Sequence, residues 1–153
     1  YTGILSIFSN LIMGGGKINV FEDGLESRDF VFIDDVVAAT VLAVEHANAA
    51  GQVFNVGSGV ATTVLEVVKH LKAAFNSDIE ANVTGNFRLG DIRHNYADLS
   101  KISSLLGFAP KIHFADGIRQ FAAWAATQGP KDSAYERSLS EMKERGLMRG
   151  VGG

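Results

Sequence analysis

Apolar segments of helical and extended period alternate along this chain, and glycines punctuate them. Ile4, Leu5, Ile7, Phe8, Leu11 and Ile12 recur at helical spacing. Gly14-Gly15-Gly16 then stops that helix, because glycine tolerates a left-handed cap. Residues 18–21 read as a short strand and Glu22-Asp23-Gly24 as a turn. Residues 30–33 are continuously apolar, like a buried strand. Asp34 or Asp35 is expected to cap the next helix, whose apolar face is Val37, Val41 and Val44. Gly51 ends it, and residues 53–56 form a further strand closing in Gly57-Ser58-Gly59. Thr63, with Glu66 three residues on, is a capping box. It opens a helix carrying Val64, Val67, Val68, Leu71 and Phe75. Residues 79–83 read as a strand, and the chain then runs into a loop at Arg88. Asp98 is expected to cap a short helix that stops at Gly107. After an extended link, Asp116 starts a helix with Ile118, Phe121, Ala122 and Ala125 inward, ended by Gly129-Pro130. Strands alternating with helices predict an α/β fold.

From Lys131 the composition turns charged. Tyr135, Leu139 and Met142 still make one apolar stripe, which predicts a surface helix over 133–145 before a loose Gly-rich end at 150–153. The expected division is therefore one domain over 1–130 and a charged helix with its tail over 131–153. The chain opens at Tyr1, inside a helical pattern, and reads as a fragment.

With 153 residues the chain can bury one real core. A net charge of −3 gives no reason to expect nucleic acid or an anionic membrane as partner. The chain contains no cysteine, which excludes disulfides, thiolate zinc and a cysteine nucleophile and suits a cytoplasmic location. No apolar run approaches the roughly 20 residues that span a bilayer.

Chemistry centres on Arg88-Leu89-Gly90-Asp91. An arginine presents a planar fork to phosphate oxygens, and an aspartate accepts from sugar hydroxyls. By themselves the two are more simply read as solvated surface charges. The histidines at 46, 70, 94 and 113 do not pair at metal-ligand spacing, and His46 and His70 fall on helix surfaces. No metal is expected. Gly57-Ser58-Gly59, between a strand and a helix, is partial phosphate-loop context; a plain strand-to-helix turn explains it more simply. Gly14-Gly15-Gly16 follows a helix and not a strand.

Other segments set that loop in a series. Val20-Phe21-Glu22-Asp23-Gly24, Arg28-Asp29-Phe30, Phe54-Asn55-Val56-Gly57-Ser58-Gly59, Gly90-Asp91-Ile92-Arg93-His94, Ala97-Asp98-Leu99-Ser100-Lys101 and Leu105-Leu106-Gly107-Phe108-Ala109-Pro110 follow one another. In this order and spacing they resemble the C-terminal, substrate-binding part of the NAD-dependent epimerase/dehydratase family, the extended short-chain dehydrogenases/reductases with a Rossmann-type fold. The resemblance runs from Tyr1 to about Thr127 and leans towards nucleotide-sugar 4-epimerases of the UDP-glucose and dTDP-rhamnose types.

The resemblance implies a set of roles. Arg28 and Arg88 match arginines that bind the diphosphate of a nucleoside-diphosphate sugar, and Asp91 matches a carboxylate that holds the ribose. Phe21 matches a position whose backbone meets the base, and Phe30 one that lines the site. It implies a parent enzyme that moves hydride at sugar C4 with NAD held mainly by an absent N-terminal cofactor domain. Elements around residues 30–57 would pack on that domain, and without it their apolar faces would be exposed or paired with a second copy. The family's Tyr-x-x-x-Lys pair is not in this sequence: Tyr96 and Lys101 are five apart, and neither Tyr1 nor Tyr135 has a lysine four residues on. No catalytic or cofactor-binding residue is therefore assigned. A non-catalytic nucleotide-sugar binding module and a structural fragment remain as alternative readings.

Overall fold

A computed structural model describes residues 3–130 and 135–150 of the chain. They group into two compact units. The first comprises Tyr1–Glu26, Thr63–Arg93 and Ile118–Gly153; the second comprises Ser27–Thr62 and His94–Gly117.

The first unit is built on a parallel strand pair. β1 (Ile18–Val20) pairs with β4 (Ala81–Val83), Ile18 opposite Ala81 and Val20 opposite Val83. Parallel strands need a crossover, and α3 (Val64–Ala74) lies within it. The capping box opens α3 as its sequence predicts. Thr63 Oγ1 accepts the Glu66 N–H at 3.2 Å, and Glu66 Oε2 accepts the Thr63 N–H at 2.7 Å. Val67, Val68 and Leu71 point inward, beside α1 (Ile4–Met13), whose buried side is Phe8, Ser9 and Ile12. Gly15 at φ +67° carries the chain out of α1, as expected for the glycine stop. Ile18 and Val20 are fully buried while Asn19 between them is exposed, the period-two signature of a strand with one covered face.

The later part of α5 (Phe114–Gln128) also belongs here and buries Ile118, Ala122 and Ala125. Trp124 is exposed and leans on Phe121, ring centroids 5.9 Å apart. At the C-terminal end, α6 (Tyr135–Glu144) half-buries Tyr135, Leu139 and Met142, the stripe read from sequence. A last strand, β6 (Met148–Arg149), pairs antiparallel with β5 (Phe87–Arg88). The expected start of this helix, at 133, and most of the Gly-rich tail lie outside the described residues.

The second unit holds β2 (Ser27–Arg28), α2 (Ile33–Glu45), a 3-10 turn at Ala47–Ala49 and α4 (Ser100–Leu106); β3 (Thr62–Thr63) falls at its edge. Its core is Ala39, Ile102, Leu106 and Phe108, with Leu42, Phe54, Val56 and Leu99 packed around. Gly107 stops α4 at φ +69°, as expected.

Three local expectations need correction. Residues 30–33 are not a strand: residues 30–32 are extended without ladder partners, and Ile33 already begins α2. Phe32 is its N-cap by backbone alone, its carbonyl accepting the N–H groups of Asp35 and Val36. Neither Asp34 nor Asp35 caps the helix. Both sit in its first turn, and Asp35 is buried, its two oxygens accepting the Lys111 and Ile112 N–H groups at 2.9 and 3.0 Å. The apolar row Val37, Val41 and Val44 is exposed, one of the two outcomes the resemblance implied for it, and Ala39 supplies the buried face. Residues 53–56 form no strand; Val53 is exposed, while Phe54 and Val56 pack on the core as irregular chain.

Two boundaries also shift. Asp98 acts one residue earlier than a helix N-cap, accepting the Ser100 N–H at 2.9 Å while Leu99 is the cap residue. Helix α5 begins at Phe114, which places Asp116 in its first turn.

Candidate functional site

In the first unit a cleft of about 490 Å³ opens between the turn after β1 and the loop after β5. Backbone hydrogen bonds tie its walls together. Thr84 donates its N–H to the Val20 carbonyl at 2.9 Å, and Glu22 donates to the Asn86 carbonyl at 2.8 Å. Glu22 adopts φ +45°, a left-handed conformation unfavourable for a residue with a Cβ, held by that bond and by Gly85 donating back to its carbonyl.

Arg88 and Asp91 line this cleft together with Glu22, Asp23 and Arg93. Gly90, at φ +79°, makes the turn between them, and the Asp91 N–H reaches the Arg88 carbonyl at 3.3 Å. The Nε of Arg88 is buried without a hydrogen-bond partner, so the guanidinium carries an unspent donor. Arg93 pairs with both acids: Nη1 donates to Glu22 Oε2 at 2.8 Å and Nη2 to Asp23 Oδ2 at 2.6 Å. The Arg93 hydrogen bond, helped by the Leu25 N–H, holds the Asp23 carboxyl below the usual range. Two guanidiniums thus face three carboxylates. Arg93 thereby offsets the charge of the acidic pair on the cleft wall. The wall begins at Glu22, one residue after the half-buried Phe21, whose carbonyl accepts the Gly24 N–H.

Glu26 belongs to none of the sequence motifs, yet its environment is unusual. It is buried, and neither carboxyl oxygen has a hydrogen-bond partner. Burial pushes its carboxyl above the ordinary glutamate value, and the neighbouring charges of Glu22 and Asp23 push the same way.

Arg28 and Phe30 belong to the second unit. Arg28 is half-buried and donates Nη1 to the Ser27 carbonyl at 2.8 Å. The Phe30 ring tilts against Phe114, centroids 5.2 Å apart. The residue between them does more than either. Asp29 Oδ1 accepts the N–H and the hydroxyl of Ser58, each at 2.7 Å; Oδ2 accepts from the Gly59 N–H at 2.9 Å and the Ala97 N–H at 3.1 Å. Burial opposes the charged form, yet the Ser58, Ala97 and Gly59 donors outweigh it and hold this carboxyl below the usual range. Sequence reading missed Asp29, though the signal was present: a loop of small residues able to point N–H groups at an anion, and an aspartate in the Arg28-Asp29-Phe30 segment.

That knot also decides the question of a dinucleotide loop. The N–H groups of Ser58 and Gly59, which a phosphate would need, already serve Asp29. A Cβ on Gly57 would meet Asp29 Oδ2 at 2.5 Å, so the loop is closed against its own carboxylate. Gly14-Gly15-Gly16 follows helix α1. Neither glycine run is therefore open as a dinucleotide loop. Among the described residues no group of three or more histidines or acids could hold a metal, and no helix is long and apolar enough to cross a membrane.

Comparison with known proteins bears on this geometry. A family model described as GDP-mannose 4,6 dehydratase matches residues 3–121. The chain is 38% identical to a dTDP-L-rhamnose 4-epimerase of Burkholderia thailandensis, over 84% of this chain and 35% of that protein. It is likewise 38% identical to a UDP-glucose 4-epimerase of Mycolicibacterium smegmatis, over 76% of this chain and 36% of the relative. The crystal structure of a Thermotoga maritima UDP-glucose 4-epimerase with UDP-glucose superimposes with a TM-score of 0.73 at 32% identity, covering 83% of this chain and 40% of that one. The chain thus spans little more than a third of the length of the curated relatives it matches.

Proposed function

The chain belongs to the NAD-dependent epimerase/dehydratase family, and on that premise we propose that it is the substrate-holding portion of a nucleotide-sugar 4-epimerase. Arg88 takes oxygens of the diphosphate, Asp91 accepts from the ribose hydroxyls, and the backbone at Phe21 meets the base. Arg28 and Phe30, in the second unit, keep the phosphate-binding and site-lining roles that the family resemblance gives them. In the parent enzyme NAD is held mainly by residues outside this chain.

The observation that carries this reading is that Arg88 and Asp91 line one cleft, with Gly90 making the turn between them. A fork-shaped cation with an acceptor three residues on suits a pyrophosphate linked to a sugar. Binding at the nucleotide, away from the reacting carbon, would let the sugar turn while the complex stays assembled.

Calorimetric titration of this chain with UDP and with dTDP tests the assignment. The wild type is expected to bind at least one, and Arg88→Ala to lose that binding. Equal binding by both proteins, or none by the wild type, would sink it. Arg88→Lys is expected to bind more weakly than wild type, because it keeps the charge and loses the fork.

A further inference from the structure

The family match ends at residue 121, yet the strand that carries Arg88 is paired with chain well beyond it. In this two-stranded sheet Phe87 lies opposite Arg149 and Arg88 opposite Met148. The Leu89 N–H donates to the Leu147 carbonyl at 2.9 Å. β5 has no other ladder among the described residues. Its extended backbone at the cleft wall is therefore held by the C-terminal segment.

The segment is built to deliver that strand. α6 half-buries Tyr135, Leu139 and Met142, which seats the helix. It ends at Gly146, φ +66°, whose N–H reaches the Lys143 carbonyl, while the Leu147 N–H reaches the Met142 carbonyl at 2.9 Å. This is the Schellman arrangement: a left-handed residue turns the chain, and the two residues leaving the helix satisfy its last carbonyls. The turn sends Leu147, Met148 and Arg149 directly along β5.

We propose that residues 135–150 form a positioning element for the nucleotide anchor. The Schellman turn at Gly146 lays β6 against β5, and that ladder fixes the backbone from which Arg88 projects. The inference rests on the reading of Arg88 as the diphosphate anchor. It concerns a part of the chain the family model does not cover.

Variants of the 153-residue chain titrated with UDP and dTDP test it. Arg149→Pro removes an N–H from the ladder, while Arg149→Ala keeps it. Gly146→Val strains the turn, and Gly146→Asn tolerates the left-handed conformation. Arg149→Pro and Gly146→Val are expected to weaken binding by about tenfold or more, the scale of a misplaced charge-assisted hydrogen bond. Arg149→Ala and Gly146→Asn are expected to bind like wild type, and all four to keep the wild-type circular dichroism. Wild-type affinity in both Arg149→Pro and Gly146→Val overturns the inference. So does collapse of the whole fold in either, because the segment would then support the unit and not one strand. If Arg88→Ala loses binding while those two variants bind normally, the inference alone falls. If the wild type fails to bind, or Arg88→Ala binds normally, the anchor reading falls and takes this inference with it.

Discussion

Asp29 and Ser58, twenty-nine positions apart, are joined by two hydrogen bonds to one carboxylate oxygen, each 2.7 Å long. A glycine-flanked loop of the kind that elsewhere cradles a phosphate here cradles the protein's own anion. The knot ties the chain after β2 to the loop at Gly57-Ser58-Gly59 and, through Ala97, to the approach to α4.

The knot makes stability depend on pH. The folded Asp29 carboxyl titrates below its ordinary value, so the native state binds fewer protons there than the unfolded chain. Its contribution is present above the ordinary aspartate range and is lost as pH falls through the folded value. Asp29→Asn should cost about 1–3 kcal/mol at neutral pH, since an amide cannot satisfy all these donors. Urea unfolding across a pH series should show the difference from wild type shrinking once the pH falls below about 3.8, the unperturbed value. A difference that does not change with pH would show that the charge is not what the loop binds.

Two glycine-to-alanine changes should behave oppositely. A Cβ at Gly57 would meet Asp29 Oδ2 at 2.5 Å and the Ala97 side chain at 2.6 Å, whereas one at Gly3 would meet nothing within 4 Å. Gly57→Ala must therefore displace the knot and lower the melting temperature. Gly3→Ala should leave it near the wild-type value.

The acidic pair on the cleft wall opposes an anionic ligand. Neutralising it with Glu22→Asn and Asp23→Asn removes two carboxylates and the ion pairs they make with Arg93. Asparagine also tolerates the left-handed backbone at position 22. The double variant should bind UDP or dTDP more tightly than wild type, and the gain should shrink in high salt. Calorimetry at two ionic strengths checks both statements.

Helix α2 offers a contrast of its two faces. Val44 is 82% exposed and Ala39 only 1%. Val44→Lys should change unfolding free energy by no more than about 0.5 kcal/mol. Ala39→Leu forces extra volume against Ile102, Leu106 and Phe108 and should cost about 1–3 kcal/mol. Denaturant melts of the two variants measure the difference.

The features that sequence alone determined are those whose cause lies within a few residues. The Thr63–Glu66 capping box, the glycine stop at Gly107 and the half-buried stripe of α6 are local hydrogen bonding, backbone freedom and helical period. The ordered series of motifs identified the family for the same reason, since each piece is a short local pattern. Tertiary structure decided the rest. Asp35 reads as a helix cap from its neighbours, yet its partners lie 76 and 77 positions away and draw it inside. Residues 30–33 and 53–56 have the apolar composition of strands, but composition does not supply a ladder partner, and none pairs with them. The valines of α2 follow a helical period without a period stating which face meets the core. The closure of Gly57-Ser58-Gly59 on Asp29, and of β6 on the Arg88 strand, depended on contacts between distant segments. Local rules specify which conformations a segment can hold; only the folded chain decides which hydrogen-bonding groups find each other.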